Sequence, residues 1–297
     1  MLIIGHRGAA GLAPENTLSS FQKACDLGVD AVELDVLLSS DGEVVVYHDY
    51  TLKPEITRTP DGKWLDETVP RTVYKLTLSE LKAFDIGRVN PLSPYSKHYP
   101  RQHPADGEQI PTLREVIQLI CNQPYLKAEL WIEIKTSPEK PDLTPSPEKV
   151  VEAVYRILDQ EKALSKARLL SFDWRGLLYC RNRHPEIPLI FLSHNSVTLG
   201  TISSSRPALF SGRSGIDRYG VCGSIPQAIH HSGGTAWGPH FSSMTSQDIA
   251  EAHRLGIKVY VWSPDDPSDM ECLLGMNVDG IITNRPDILK NILESSF

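Results

Sequence analysis

Two acidic residues, Glu33 and Asp35, alternate with valine and leucine in the short run over residues 32–36. The side chains of a β-strand point alternately to its two faces, so a strand here places both carboxylates on one face. If the apolar face packs against helices, the carboxylates enter the interior of the sheet. An isolated charge is costly there unless a cation or strong hydrogen bonds compensate it, so the pair indicates a functional site.

The run over residues 131–135 repeats this pattern, because Glu133 and Lys135 alternate with isoleucines. Together with Glu33 and Asp35, it predicts three carboxylates beside one lysine. Ligation by oxygen alone suits a hard cation, Mg²⁺ or Ca²⁺, whereas zinc prefers nitrogen and sulfur ligands. The alternative is a buried salt bridge of Lys135 with one acid, which leaves two carboxylates without a partner. We therefore predict a divalent cation site on the three carboxylates.

An imidazole and a guanidinium follow the first apolar run, in the tetrapeptide Gly5-His6-Arg7-Gly8. This position is the carboxyl end of a strand, where barrel enzymes carry their catalytic groups. Arg7 offers a planar fork of donors to phosphate oxygens, and Lys135 supplies a compact positive charge. We expect the flanking glycines to let the backbone approach a ligand. The residue types together predict an anionic substrate.

A second histidine follows a predicted β-hairpin whose turn is the Asp-Gly pair at positions 41–42. Asp-Gly is the strongest short hairpin signal, and a two-residue turn pairs Ser40 with Glu43. The same register places His48 directly opposite Asp35. Opposed residues share a face, with Cβ atoms ~4.5–5.5 Å apart, so we expect His48 beside the carboxylates.

Short apolar runs rich in β-formers alternate with helical patterns along the chain, which is typical of βαβ units. Eight such units without a second class of composition favour a closed (β/α)8 TIM barrel over an open doubly wound sheet, and we take residues 1–297 as a single domain. The predicted strands are Leu2–Gly5, Val32–Val36, Trp131–Lys135, Leu169–Phe172, Leu189–Leu192, Thr235–Trp237, Val259–Trp262 and Gly280–Thr283. The predicted helices include Asn16–Leu27, Leu113–Cys121, Pro147–Asp159, Ser246–Leu255 and Pro286–Leu293.

Residues 50–109 interrupt this rhythm after the second strand with many prolines and a stretch that contains tyrosine and histidine. The segment exceeds an ordinary connection, and segments of that length are usually functional or an inserted subdomain. We predict a cap over one mouth of the barrel; the alternative is a surface excursion without function. Near the other end of the chain, we expect Trp262 to fill the core, with the lining of a pocket as the alternative, and Asp265, Asp266 and Asp269 to begin a helix.

Composition restricts the other classes of function. The 297 residues carry a formal net charge of −7, and the absence of a window rich in lysine and arginine argues against nucleic acid as a ligand. Five widely spaced cysteines without a C-x-x-C motif indicate neither a zinc site nor a disulfide framework. The first apolar run is too short for a signal sequence or a membrane span, so a cytoplasmic location without stable membrane insertion is the default expectation. The oligomeric state stays open.

Several motifs, in this order and over nearly the whole chain, resemble those of the glycerophosphodiester phosphodiesterases. They are Gly5-His6-Arg7-Gly8-Ala9, Pro14-Glu15-Asn16-Thr17, Glu33-Leu34-Asp35, Asp41-Gly42, His48-Asp49, Ile110-Pro111-Thr112-Leu113, Ile132-Glu133-Ile134-Lys135, Ser171-Phe172-Asp173 and Val278-Asp279-Gly280-Ile281-Ile282-Thr283. The chain departs from the family pattern at Ser263-Pro264 and at Asn284. We expect these departures to lie away from the metal and histidine residues.

The resemblance implies metal-dependent hydrolysis of a small glycerophosphodiester to sn-glycerol 3-phosphate and an alcohol. It implies acid and base roles for two histidines, phosphate contacts for two basic residues, and a divalent cation on three acids. These residues are, in that order, His6 and His48, Arg7 and Lys135, and Glu33, Asp35 and Glu133. The alternatives are a lysophospholipid-specific phosphodiesterase of the same fold and a barrel that binds phosphodiesters without catalysis. The preferred head group, the choice of Mg²⁺ or Ca²⁺, the nucleophile and the division of roles between the histidines stay open.

Overall fold

The computed structural model describes residues 1–121, 127–194 and 224–295, and nine β-strands form the centre of this part of the chain. Eight of them are parallel, run in the order β1-β9-β8-β7-β6-β5-β4-β2, and close because β1 also pairs with β2. The short β3 pairs antiparallel with β2. The prediction of a TIM barrel is therefore confirmed. The strands are β1 Leu2–Gly5, β2 Ala31–Leu38, β3 Val44–Val46, β4 Glu129–Ile134, β5 Ala167–Ser171, β6 Leu189–Ser193, β7 Ala236–Pro239, β8 Lys258–Trp262 and β9 Gly280–Thr283.

Helices follow most of the strands and cover the outside of the barrel. The predicted helices are present, with boundaries that differ by at most two residues, and α1 begins after Thr17, whose hydroxyl accepts the Ser20 N–H. Among the described residues, none of the helices has both the length and the apolar character needed to cross a bilayer. The helices are α1 Leu18–Asp26, α2 Leu78–Lys82, α3 Leu113–Cys121, α4 Pro147–Gln160, α5 Trp174–Arg183, α6 Ile225–His231, α7 Ser246–Arg254, α8 Pro267–Gly275 and α9 Pro286–Ser295.

The strands separate an inner apolar layer from an outer one. Val32, Leu34 and Val36 of β2 are fully buried against the helices, as the alternation predicts. The barrel interior is filled by large side chains, among which the rings of Trp131 and Tyr260 meet edge to face at 4.8 Å. Because the floor is packed, only the carboxyl ends of the strands are free to form a site.

The β2–β3 hairpin has a wider turn than the sequence predicts. Val36 pairs with Val46, and the Ser39 N–H donates to the Glu43 carbonyl at 2.9 Å, so three residues form the turn. The Ser39 hydroxyl stabilises this turn, because it accepts the Glu43 N–H at 2.9 Å. The register therefore shifts by one residue, and Tyr47, whose N–H donates to the Asp35 carbonyl at 3.0 Å, replaces His48 opposite Asp35. The predicted cross-strand pair was wrong.

Residues 50–109 pack on this hairpin and have a small apolar core of their own. The segment contains α2 and short 3₁₀ helices at Val73–Lys75 and Pro94–His98. Its apolar residues bury one face of the hairpin, and the second 3₁₀ helix lies at the mouth of the barrel. The prediction of a cap therefore agrees with the position of this helix. The buried side chains of this core are Leu37, Val45, Tyr47, Leu52, Ile56, Leu65, Val73, Leu81, Phe84, Ile86 and Ile110.

Candidate active site

Three carboxylates converge at the carboxyl ends of β2 and β4. The parallel register pairs Asp35 with Glu133. Glu33 lies two residues before Asp35 on β2, so its side chain is on the same face of the strand. One oxygen from each carboxylate lies within 4.8 Å of the others, and all three residues are buried. The structure thus brings together the acids that the alternation places inside the barrel.

Two basic side chains contact this cluster. Lys135 Nζ donates to Glu133 Oε1 at 2.7 Å and lies 3.5 Å from Asp35 Oδ1. Arg7 Nη1 donates to Glu15 Oε1 at 2.8 Å, and its Nε lies 3.3 Å from Asp35 Oδ2. The salt bridge of Lys135 is therefore present and reaches two acids. Burial opposes ionisation of Asp35, but His48, Lys135 and Arg7 outweigh burial and lower its pKa.

Negative charge exceeds positive charge at this place. Arg7 and Lys135 are the cations in contact with Glu15, Glu33, Asp35 and Glu133, so two carboxylate charges exceed the positive charge of this group. Lys53 also acts on Glu15 but is paired with Asp49 at 3.0 Å, so it does not change this balance. Burial, and then the neighbouring acids, raise the pKa of Glu33 well above its usual value. Such a group holds either protons or a cation, and its oxygen donors fit a hard divalent cation.

Asn16 holds Asp35 in a fixed orientation. Its Nδ2 donates to Asp35 Oδ2 at 2.9 Å, while its Oδ1 accepts the Asp35 N–H at 3.3 Å. Asn16 has a positive φ of 56°, a conformation that asparagine adopts more readily than most residues. The sequence places Asn16 in a motif and at the start of a predicted helix, but nothing in its spacing relates it to Asp35, which lies 19 residues away.

His6 lies at the end of β1 with one ring nitrogen toward the acids. Its Nε2 is 3.9 Å from Glu33 Oε2, and its Nδ1 is 2.7 Å from Asn284 Oδ1. Burial, and then the charge of Arg7, lower the pKa of His6 to about 3. The ring is therefore neutral at neutral pH. The contact of Asn284 with His6 contradicts the expectation that this departure lies away from the histidines.

The two glycines around His6 permit a tight turn inside the protein. A Cβ on Gly8, which has a φ of +87°, would lie 2.5 Å from Ser20 Oγ and 2.8 Å from the Phe21 nitrogen. A Cβ on Gly5 would lie 2.1 Å from the Gly8 carbonyl oxygen. The expectation that these glycines let the backbone approach a ligand was therefore wrong, because helix α1 occupies that space. The turn also aims the Arg7 N–H at Glu33 Oε2, at 2.9 Å.

His48 reaches the same cavity from the end of the hairpin. Its Nδ1 lies 3.0 Å from Asp49 Oδ1, and Lys53 Nζ lies 3.0 Å from the other Asp49 oxygen. Burial opposes ionisation of Asp49, but the hydrogen bond from His48 and the charge of Lys53 lower its pKa. Asp49 therefore stays ionised and accepts the Nδ1 proton, which leaves Nε2 of His48 free for a substrate.

The cap closes one side of this cavity with aromatic side chains. Tyr95 donates its hydroxyl to Glu15 Oε2 at 2.5 Å, and its ring lies 4.2 Å from Lys53 Nζ. Tyr99 contacts Tyr95 edge to face, with ring centroids 5.4 Å apart. The cap therefore touches the partner of Arg7, a connection between residues 80 positions apart that sequence spacing does not reveal.

A cavity of about 480 Å³ joins these residues, and a second one of about 360 Å³ lies beside it. Trp262 lines both and donates its Nε1–H to the Gly238 carbonyl at 3.0 Å. Its ring also packs against the inner core of the barrel, so the expected core packing is present and the same side chain is a wall of the site. Asp266 caps α8 and Asp269 lies in its first turn, as predicted. Asp265 instead contacts Asn284 at the cavity wall.

Comparison with known proteins gives one consistent result. Residues 6–288 match the glycerophosphoryl diester phosphodiesterase family. A glycerophosphodiester phosphodiesterase of Caldanaerobacter subterraneus is 29% identical over 98% of this chain and 97% of its own length. A crystal structure from Silicibacter pomeroyi, named for the same activity, has a TM-score of 0.88 at 31% identity over 100% of this chain and 94% of its own.

A second solved structure is informative about ligands. An Oleispira antarctica phosphodiesterase, in complex with its product sn-glycerol-3-phosphate, covers 99% of this chain and 97% of its own at 26% identity, with a TM-score of 0.71. The family match spans more than nine tenths of the sequence and includes every site residue described above. By fold, by sequence and by the residues gathered at the barrel mouth, the chain belongs to the glycerophosphoryl diester phosphodiesterase family.

Proposed function

We propose that the protein hydrolyses small glycerophosphodiesters to sn-glycerol 3-phosphate and an alcohol, with a divalent cation and two histidines. The observation that carries this proposal is a pair of adjoining cavities at which three buried carboxylates, two basic side chains and two imidazoles meet. The product bound to the Oleispira relative supports the choice of substrate class. The ligands of the cation are Glu33, Asp35 and Glu133.

Substrate binding uses the positive charges beside the acids. Arg7 gives one terminal nitrogen to Glu15 and points its fork toward the cavity, where its other terminal nitrogen can donate to a phosphate oxygen. Lys135 lines the second cavity and adds a compact positive charge. A bound divalent cation supplies Lewis-acid polarisation of a phosphoryl oxygen and neutralises carboxylate charge.

Proton transfer falls to the histidines in this proposal, and we infer their separate roles from their surroundings. His6 is neutral and turns Nε2 toward the carboxylates, so it accepts the proton of the nucleophile. His48 has its Nδ1 tied to the Asp49 carboxylate, so its Nε2 can hold a proton and deliver it to the leaving alkoxide. The P–O bond to the alcohol breaks as the bond to the nucleophile forms.

The nucleophile is either water or the glycerol 2-hydroxyl. Attack by the 2-hydroxyl forms a cyclic phosphate that water opens in a second step, whereas direct attack by water gives sn-glycerol 3-phosphate in one step. Phosphorus NMR during turnover distinguishes the two routes, because only the first produces a transient cyclic phosphodiester. Either route uses the same base at His6.

The test is release of sn-glycerol 3-phosphate from choline, ethanolamine, inositol and glycerol diesters, with Mg²⁺, with Ca²⁺ and after chelation. We expect turnover with at least one diester and a divalent cation, and none after exhaustive treatment with EDTA. Full activity after chelation, with metal analysis showing no bound ion, removes the cation from the proposal. Binding of diesters without turnover favours the non-catalytic barrel.

An apolar floor supports a second candidate substrate, a lysophospholipid. Leu170, Leu192 and Ile282 line the larger cavity together with Phe172 and Trp262. Such a floor can accept part of an acyl chain. Parallel assays with lysophosphatidylcholine and glycerophosphocholine decide between the candidates, since a lysophospholipid enzyme has the higher kcat/KM with the acylated substrate.

Three further expectations accompany this proposal. We propose that residues 1–297 form one domain, because the insertion buries the face of a hairpin that belongs to the barrel. A small-molecule substrate, rather than nucleic acid, agrees with the net charge of −7. A cytoplasmic location stays a prediction.

A further inference from the structure

A line of polar side chains runs behind His6, from the ring nitrogen that does not face Glu33. His6 Nδ1 lies 2.7 Å from Asn284 Oδ1, and Asn284 Nδ2 donates to Asp265 Oδ2 at 2.7 Å. The other Asp265 oxygen accepts the Asn284 N–H at 2.9 Å and the Thr283 hydroxyl at 3.0 Å. Asn284 is 7% exposed, so water competes little for these hydrogen bonds.

The hydrogen-bonding types in this line permit one orientation of the amide. A carboxylate only accepts hydrogen bonds, so Asn284 must present its NH₂ group to Asp265. Its carbonyl oxygen then faces His6, and a carbonyl oxygen also only accepts. When the His6 ring carries one proton, this hydrogen bond therefore places that proton on Nδ1. A flipped amide would place two acceptors 2.7 Å apart and is disfavoured.

We propose that Asp265 and Asn284 are positioning residues that hold the proton of His6 on Nδ1. Only this tautomer leaves a lone pair on Nε2, the nitrogen 3.9 Å from Glu33 Oε2 at the cation site. With the proton on Nε2 the ring could not accept a proton there. This assignment rests on the proposed function for its kinetic consequence, but the position of the proton can be measured independently of activity.

An exchange of the two side chains tests the proposal. Asp265→Asn keeps an oxygen for the Asn284 N–H and the Thr283 hydroxyl but no longer fixes the amide of Asn284. Asn284→Asp places two carboxylates face to face. We expect Asp265→Asn to lower kcat ~10²-fold, the usual contribution of an acid or base, with KM within about twofold, because the Asn284 amide can then turn its NH₂ group toward His6. Asn284→Asp keeps an acceptor opposite Nδ1, so we expect a smaller loss that reports the repulsion between the two carboxylates. The double variant restores one donor opposite one carboxylate, so we expect kcat within about fivefold of the parent.

Asp266→Asn is the matched control, because it makes the same change of side chain one residue after Asp265. The Asp266 carboxylate accepts hydrogen bonds from Ser268 and has no contact with Asn284 among the hydrogen bonds described. We expect parental kcat and at most a small loss of melting temperature. A double variant no faster than the slower single variant overturns the proposal. Parental kcat in Asp265→Asn does so as well. Melting temperatures and bound cation are measured for every variant, so that a folding defect is recognised as such.

The second readout is the tautomer itself. Nitrogen-15 NMR of the histidine rings in the Mg²⁺-loaded protein identifies the protonated nitrogen, and the difference from a His6→Gln variant assigns the His6 signal. We expect the proton on Nδ1 in the parent and in the double variant, and partial or complete transfer to Nε2 in Asp265→Asn. A parent signal with the proton on Nε2 contradicts the proposal even if the protein hydrolyses diesters. If the predicted tautomer is found but no diester is hydrolysed, the proposed function fails instead.

Discussion

His6 and His48 line one cavity beside the carboxylate cluster, each with a polar partner on Nδ1. We expect His6→Ala and His48→Ala each to lower kcat ~10²-fold or more, the usual scale of acid or base catalysis. The double variant should lose little beyond the slower single variant, since residues that act together are not additive. If His48→Ala keeps near-normal kcat with a natural diester, with fold and cation content verified, the two-histidine mechanism is wrong.

The pH dependence of kcat/KM should be bell-shaped, because one ring accepts a proton and the other donates one. The acidic side has a predictable position. Burial and Arg7 lower the pKa of His6 from 6.5 to about 3, so His6 stays unprotonated as the pH falls through 6.5, and activity is lost only at lower pH. The profile reports coupled ionisations of the whole site. An acidic limb centred at or above pH 6.5, measured with saturating cation, contradicts the role of His6 as the base.

Glu133→Gln removes one of the three negative charges without a large change in shape. We expect the affinity for Mg²⁺ or Ca²⁺ to fall about tenfold or more, since ligand charge sets the affinity for hard cations, and kcat to fall with it. Glu129→Gln is the matched control on the same strand, because Glu129 pairs with Arg168 away from the cavity. Calorimetric titration and the release assay measure both effects. Unchanged cation affinity in Glu133→Gln excludes Glu133 as a ligand.

At the scale of single residues, the alternation of side chains along a strand predicts where the carboxylates lie. It does not predict the hydrogen-bond partners of the site residues. Glu33 and Asp35 follow from period-2 geometry, because a buried strand constrains every second side chain. Asn284 contacts His6 across 278 positions, and no local pattern carries that information. The hairpin register differs by one residue because the Ser39 hydroxyl stabilises a wider turn, a choice that Asp-Gly alone does not decide.

The insertion is the element that should control substrate choice. Tyr99 and His98 lie on the cavity wall, so we expect Tyr99→Ala and His98→Ala to change the ratio of kcat/KM among head groups by about tenfold. The rate with the simplest diester should stay nearly intact. Leu92→Ala is the control, because Leu92 is 91% exposed on the same segment. If the substrate profile is unchanged in both cavity variants, the alternative is favoured that the segment is a surface excursion without function.

Tyr95→Phe should behave differently from the substitutions of His98 and Tyr99 on the same segment. The substitution removes the hydroxyl that donates to Glu15, and Glu15 in turn holds Arg7. We therefore expect kcat/KM to fall about tenfold for every diester, the scale of one hydrogen bond to a charged group, without a change of preference. A loss confined to one head group would instead place Tyr95 in direct contact with that group. The same release assay decides.

At the scale of elements, strands and helices are predicted better than the insertion. The barrel repeats one unit, so each strand is recognised by its apolar run and its turn residues. Residues 50–109 have no repeat, and their fold depends on Tyr47, Val45 and Leu37 of the hairpin, on which their own apolar residues pack. The sequence therefore predicts that a cap exists and where it begins, while its contacts with Glu15 come only from the structure.

For the whole molecule, the cation should act as a stabiliser whose effect grows with pH. Because the pKa of Glu33 is raised, protonated Glu33 stabilises the cation-free protein below pH 4.5, the usual pKa of a glutamate. This stabilisation is lost as the pH rises through the folded-state pKa. A bound cation replaces the proton. We expect the difference in melting temperature between Mg²⁺-loaded and EDTA-treated protein to widen from about pH 5 to about pH 8. Glu33→Gln is the control, and a constant difference in the parent contradicts the prediction.

The pairing of β1 with β9, the first and last strands along the chain, forms a seam in the barrel, and the residues of the active site depend on this seam to different degrees. The cation ligands lie on β2 and β4, which are neighbours in the sheet, whereas the His6–Asn284 contact requires the two most distant strands to meet. Opening of the seam alone would therefore leave a protein that still captures the cation but no longer orients its base. Turnover therefore depends on the pairing of β1 with β9, whereas cation affinity depends on the pairing of β2 with β4. During refolding, cation capture should precede the return of activity, and the interval between them measures how long the seam takes to close.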